Sequence, residues 1–408
     1  MTSRTRRPSA KTPISTLRGK VLAEVERRRG EILGISEDLY RHPELSGREE
    51  RSCQVLAALL RRQGFQVRVG LAGLPTAFHA TIGEGKDRPR VAFLAEYDAL
   101  PGMGHGCGHN LIAAASIGAS LALLPILDRS GGGIEVIGTP AEETIGGKVP
   151  LVEAGCFDGL DAAMMIHPAG ENRVYTTSLA AATYRIEYQG RAAHAVVHPE
   201  KGINALDALV DLYRMAPTLV QEIGDGGHLP GVIREGGERA NVVPDRAVGE
   251  FSLRARSLQG LTRLEEKFFT AAREIAAARG CRLSIGKMGH TYREMRTNCR
   301  MAEKFKENLR FFGVTTEDKP RTRMGSLDMG NVSQKIPSIH PFIAICEPGL
   351  ASHTAEFGRA TISERGKEGL LLATRALALT AVDLLTDPSL VGEIRVEFER
   401  SRPGASPR

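Results

Sequence analysis

Tryptophan is absent from the sequence, and aromatic residues make up only 5% of its 408 positions. A nucleic-acid surface that stacks bases on aromatics set among basic side chains therefore has little to build with. Positive charge is present but diffuse: 54 Lys and Arg against 48 Asp and Glu leave a formal charge of +6. The densest basic run, residues 4–11, lies beside Pro8 and Pro13 and reads as part of a disordered leader over residues 1–14. Cysteine is sparse as well. Six in a chain this long do not resemble the dense framework of small disulfide-bonded secreted domains. No apolar stretch reads as the ~18 residues needed to cross a bilayer. The basic N-terminus also lacks the apolar segment of a secretory signal. Together these absences predict a cytoplasmic protein with no nucleic-acid or membrane partner.

What is abundant is glycine, at 45 residues, within an ordinary apolar share of 42% and charged share of 25%. Many tight turns suit an α/β enzyme better than a helical bundle. The length exceeds what one hydrophobic core usually supports, so more than one domain is expected. Residues 17–64 show helical spacing in two helices broken at His42-Pro43-Glu44-Leu45-Ser46. Strands follow at 64–69, 90–95, 134–138 and 162–166, separated by helical stretches. That alternation predicts a mainly parallel sheet covered by helices.

From about residue 180 the pattern changes. Strand signals at 183–188, 231–233, 248–256 and 282–285 and helical signals at 204–215 and 261–278 give the order β-α-β-β-α-β. This is the ferredoxin-like unit, which can form a small α+β domain by itself. After residue 291 the α/β character returns and ends in an apolar helix around 370–385. The economical arrangement is an α/β domain in two segments, 15–179 and 291–408, with a smaller domain, 180–290, inserted between them.

The chemistry concentrates where strands end. The loop Glu96-Tyr97-Asp98-Ala99-Leu100-Pro101-Gly102-Met103-Gly104-His105-Gly106-Cys107-Gly108-His109 leads from a strand into a helix. Ligand sites of open α/β sheets lie at such carboxyl ends. A thiolate and an imidazole suit zinc, and an imidazole with carboxylates suits manganese or cobalt. Alone, Cys107 reads equally as a small buried filler and His109 as a helix cap. Glu142-Glu143 read alone are a solvated surface pair, yet they directly follow a buried strand and a proline turn. Unpaired charge is costly there. His167-Pro168 and His353-Thr354 repeat the pattern of a potential ligand leaving a strand or loop.

In order along the chain, Tyr97-Asp98-Ala99-Leu100-Pro101, Pro140-Ala141-Glu142-Glu143, Arg191-Ala192-Ala193-His194-Ala195, Ala240-Asn241-Val242-Val243-Pro244-Asp245 and Gly325-Ser326-Leu327-Asp328-Met329-Gly330-Asn331-Val332-Ser333 resemble the motifs of the M20 metallopeptidase family. The likeness is to its aminoacylase-like amidohydrolase branch, which includes p-aminobenzoyl-glutamate hydrolases and M20 domain-containing dipeptidases. The resemblance implies Cys107, His109, Glu143, His167 and His353 as ligands of one or two divalent ions, and Glu142 as general base and acid. It implies a lid that also dimerises the protein, with His194 reaching a partner's site to stabilise an oxyanion. Asn241, Arg254, Ser326 and Asp328 match substrate-contacting positions, and Asp98 an orienting one. Three features depart from the family pattern. Glu96 stands where many members carry a histidine. Pro230, with His228 nearby, stands where a histidine often enters the second lid strand. Thr144-Ile145 follow the paired glutamates in place of glycines.

The activity implied is metal-dependent hydrolysis of a C–N bond in a small carboxylate-bearing substrate, an N-acyl or aminobenzoyl amino acid or a dipeptide. The departures leave open hydrolytic deamination of an electron-poor aminoaromatic acid such as 5-nitroanthranilate. A reading of another class, a non-catalytic small-molecule binding protein, is disfavoured by the retention of Glu142 beside a full ligand set.

Overall fold

Residues 13–83, 88–224, 226–318 and 325–402 are described by the computed structural model. The expected leader therefore falls outside the described residues except for Pro13 and Ile14, and Ile14 already begins a helix, Ile14–Arg27. The strands are β1 (Gln66–Leu71), β2 (Leu74–Ile82), β3 (Arg90–Ala95), β4 (Gly133–Gly138), β5 (Ala162–Met164) and β6 (His167–Ala169). They continue as β7 (Ala180–Gln189), β8 (Gly231–Glu235), β9 (Arg246–Ala255), β10 (Arg282–Tyr292), β11 (Ser338–Ile339) and β12 (Phe342–Ala344).

The larger sheet has the order β1-β2-β4-β3-β5-β11. Its centre is parallel, through the pairs β4/β3, β3/β5 and β5/β11. Val91 to Ala95 and Ile134, Val136 and Ile137 are fully buried, as expected of parallel strands covered on both faces. The β1/β2 and β2/β4 pairs are antiparallel. Here the structure differs from the expected alternation: among the described residues no helix separates β1 from β3, and β2 turns back through a tight loop at Ala72 and Gly73. Both loop residues have positive φ, 52° and 76°.

The helix His109–Ala122 is buried at every position. It packs against Arg29–Arg41 and Glu364–Thr386. Gly118 permits that approach, because a Cβ there would lie 2.9 Å from Ile32 Cγ1 and 3.0 Å from Thr374 Cγ2. This burial corrects the reading that no apolar stretch could cross a membrane. By length and composition His109–Ser130 and Glu364–Thr386 are apolar enough. Their apolar content follows from being packed within protein, with 89% and 78% of their most apolar windows buried. Serines, threonines and glycines break up the runs, so neither reads as a continuous apolar segment.

Two helix boundaries also differ from expectation. The N-terminal region forms three helices, Ile14–Arg27, Arg29–Arg41 and Glu50–Arg62. The extra break falls at Arg28, a buried guanidinium that donates to Glu24, Glu31 and Gln63. A further helix, Pro388–Arg400, follows Glu364–Thr386, with Asp387 accepting from the Ser389 and Leu390 amides as its cap.

β7, β8, β9 and β10 form a separate antiparallel sheet in the order β10-β7-β9-β8. With helices Ala205–Ile223 and Leu258–Arg279 they follow the order β-α-β-β-α-β. Both helices carry explicit stops: Asn204 and Ser257 cap their starts, and Gly224 and Gly280, at φ 70° and 69°, end them. Tyr188, Leu209, Phe251, Leu264 and Phe268 belong to a core distinct from that of the larger sheet. Phe251 is fully buried, so Phe251→Ala should cost about 3–5 kcal/mol of stability. Denaturant unfolding followed by circular dichroism checks this.

Candidate metal centre

Each parallel strand delivers polar groups at its carboxyl end. β3 runs into Glu96 and Asp98, β4 into Glu142 and Glu143, and β5 into His167. Cys107 and His109 lie at the start of the buried helix His109–Ala122, whose N-cap Gly108 has φ 87°. Only glycine fits at that position, since a Cβ would come within 2.7 Å of Pro168 Cγ. His353 arrives from a loop whose backbone is anchored by its own amide donating to Gly106 O at 2.8 Å.

These side chains converge. Cys107, His109 and His167 form one group, Cys107, Glu143 and His353 a second, and His109, Glu142 and Glu143 a third. Within each group the donor atoms lie within 4.8 Å of one another. Cys107 Sγ is 3.4 Å from His167 Nε2, and Glu143 Oε1 is 3.3 Å from His353 Nε2. The imidazoles are turned by what they bind behind them. His109 Nδ1 is 2.9 Å from both Asp98 Oδ1 and Asp98 O, and His167 Nδ1 is 2.8 Å from Pro168 O. With Nδ1 donating, each ring in its neutral form would present a bare Nε2 to the centre. His109 Nε2 and Glu143 Oε1 are buried with no hydrogen-bond partner among the described residues. Two orphaned lone-pair donors beside a thiol and two further imidazoles are the chemistry of a divalent-metal site, and the residues present fit one.

Strain and charge collect at the same place. Ala141 and His353 hold φ of 58° and 62°, a region that L side chains rarely adopt. Ala141 is fixed by donating its amide to Glu49 Oε1 at 2.9 Å. Burial holds the His167 pKa down to about 4. Burial, then the neighbouring Asp328 and Glu96 charges, push the Glu142 carboxyl well above its ordinary value. Asp98 is also buried, which would raise it. The charge and hydrogen bond of His109 overcome that and hold it well below the usual carboxylate range.

A cleft of about 710 Å³ opens between the two sheets, lined by Glu142, Glu143, His167, Arg254, Ser326 and His353. Ser326 Oγ is buried there without a partner among the described residues. Asp328 lies apart from the cleft lining. Expected to meet substrate, it is 1% exposed and turned to Lys148. Its Oδ1 is 2.7 Å from Lys148 Nζ, and its Oδ2 accepts the Lys148 amide at 3.0 Å. Lys148 also pairs with Glu96 Oε1, while Glu96 Oε2 lies 3.4 Å from His109 Nε2. Nothing in the sequence marked Lys148 as buried, because a lysine after Gly146-Gly147 reads as surface. His194 and Asn241 are exposed and do not line the cleft of their own chain. They are neighbours, joined by the Ala195 amide donating to Asn241 O at 3.0 Å. The two sheets meet at the end of β10, where Tyr292 donates its hydroxyl to Glu142 O at 3.2 Å and Asn331 bridges Thr291 O and the Arg293 amide.

The sequence pattern of Peptidase family M20/M25/M40 matches residues 92–366. The chain belongs to this family. It is 38% identical to a mouse Xaa-Arg dipeptidase over 80% of its own length and 78% of that protein. It is 27% identical to a p-aminobenzoyl-glutamate hydrolase polypeptide of Escherichia coli over 92% and 93%. The fold matches that of a Bacillus subtilis dinuclear metal-binding M20 peptidase with a TM-score of 0.67, at 22% identity over 88% and 99% of the two chains. The chain is a metal-dependent amidohydrolase.

Two outcomes follow from the hydrogen bonds around the centre. Asp98→Asn should weaken divalent-metal affinity by about 10–100-fold, measured by calorimetric titration of the stripped protein. Lys148→Met leaves Glu96 and Asp328 as unbalanced buried charges and should cost about 3–5 kcal/mol, measured by denaturant unfolding.

Proposed function

We propose that this chain hydrolyses the amide bond of a small substrate with a free carboxylate, dipeptides ending in arginine being the first candidates. Greater identity to the Xaa-Arg dipeptidase than to the aminobenzoyl-glutamate hydrolase, 38% against 27%, supports the dipeptide. The observation that carries the reading is the orphaned pair His109 Nε2 and Glu143 Oε1, facing the other donors with Glu142 beside them. Cys107, His109, Glu143, His167 and His353 would hold one or two ions, zinc or manganese, with cobalt the third candidate. A divalent ion bound there supplies an acidified water and a polarised carbonyl.

A divalent charge beside it would offset the burial and the Asp328 and Glu96 charges and leave Glu142 ionised, so that it takes the proton of the attacking water and returns it to the departing nitrogen. Its carboxylate is placed for this by the strained Ala141 turn and by the Tyr292 hydroxyl on its backbone oxygen. Arg254 on β9 presents a planar fork that suits the substrate carboxylate, and Ser326 Oγ offers a further hydrogen bond. Residues 180–290 act as an inserted lid and dimerisation domain between catalytic segments 15–179 and 291–408. In a homodimer His194 of one protomer reaches the other's cleft. Its Nδ1 accepts the Val196 and Val197 amides at 3.3 and 3.2 Å. That leaves Nε2–H as the outward donor for a developing oxyanion, with Asn241 alongside. We place this activity in the cytoplasm.

Glu142→Gln should lower kcat by about 10²–10⁴-fold while metal content stays that of the wild type. Amino-acid release and metal by elemental analysis are the two measurements. Undiminished turnover would remove Glu142 from the mechanism. Ammonia release from nitroanthranilates without amino-acid release would replace amide hydrolysis with deamination.

A further inference from the structure

Four parallel strands of the larger sheet end at the cleft. β4, β3 and β5 supply Glu142 with Glu143, Glu96 with Asp98, and His167. The fourth, β11 (Ser338–Ile339), pairs with β5 and delivers His340, a residue without a role in the chemistry above. His340 is 2% exposed yet lines the cleft. Its ring centroid lies 5.6 Å from that of His167 and 5.6 Å from that of Phe342. Its Nδ1 is buried with no hydrogen-bond partner among the described residues. It is not among the groups whose donors converge on the metal centre.

A buried polar group left unpaired is a standing cost to the fold; His105 Nδ1 carries it away from the cleft, whereas His340 carries it at the cleft wall. His340 lines the space that substrate would fill, and its Nδ1 is left unpaired there. Binding sites retain such groups when the ligand supplies the missing partner, and analogues that cannot supply it are rejected.

We propose that His340 is a substrate-contacting, specificity-determining residue. Its imidazole pairs with the hydrogen-bonding group on the acyl half of the substrate next to the scissile carbonyl, which in a dipeptide is the α-amino group. Placement on that half rests on the reading above that the substrate carboxylate meets Arg254. Arg254 belongs to β9 of the smaller sheet, whereas His340, just past β11 of the larger one, shares a wall with His167 and Phe342, which pair across the two-stranded sheet β12-β6. A substrate whose leaving half is held at β9 lays its acyl half against that wall.

The test compares a free-amine Xaa-Arg dipeptide with the same compound lacking the α-amino group, using the metal-loaded full chain. Wild type should favour the amine substrate by about tenfold or more in kcat/KM. His340→Phe, similar in shape but with no hydrogen-bonding atom, should reduce that preference to about threefold or less, through a higher KM for the amine substrate. His340→Gln retains a donor and an acceptor and should keep most of the preference. Melting temperature and metal content of both variants are recorded with the kinetics. An unchanged preference in His340→Phe, or an equal loss on both substrates accompanied by loss of metal, overturns the proposal and makes His340 a support for His167. Cleavage of both substrates by wild type without preference also overturns it, while leaving the hydrolytic reading intact. Cleavage of neither sinks both.

Discussion

The Asp98 carboxylate is the joint on which the centre depends. One oxygen holds His109 Nδ1 at 2.9 Å and the other accepts the Glu143 amide at 3.1 Å. A single side chain just past β3 thus fixes the first residue of the buried helix and the glutamate turn after β4. Three elements share one reference point, and both unpartnered atoms, His109 Nε2 and Glu143 Oε1, take their direction from it. The sheet makes this possible, because β3 lies between β4 and β5 and its carboxyl end is central to the cleft.

Around that joint the protein keeps a charge balance. Lys148, with no exposed surface, stands between Glu96 and Asp328. Taking three charges out of water is unfavourable unless they are paired and hydrogen-bonded, and here the lysine backbone amide adds a bond to Asp328. The arrangement ties the helix Met329–Lys335, through its N-cap Asp328, to the first residue of the helix Lys148–Glu153 that follows the glutamate turn. It also turns one Glu96 oxygen away from His109 while the other faces it. Where the family pattern often has a neutral imidazole, this chain has a carboxylate with a dedicated counter-cation.

Much of this was legible in the sequence because it is local. The strands that end in Asp98, Glu143 and His167 carry β-type apolar runs, and the glycines of the Cys107 loop signal tight backbone. The order of the smaller sheet and its helix caps was likewise written in short-range pattern. What escaped was set by tertiary partners. Strand β2 is buried through its middle and carries a proline near its start, so alternation does not reveal it. Lys148 and Asp328 owe their burial to each other, and neither residue type announces that. His340 follows the shortest strand of the larger sheet, too brief to register as one. The two buried helices looked shorter than they are because serine, threonine and glycine interrupt their apolar surfaces where neighbouring helices come close.

The rings of His109 and His167 are turned by backbone oxygens and by Asp98, all of them groups of the chain itself. The entropic cost of gathering these donors is therefore met during folding. The receptacle is shaped by the fold itself. An ion held there would leave the fold itself intact on departing, because the donors are gathered by contacts within the chain.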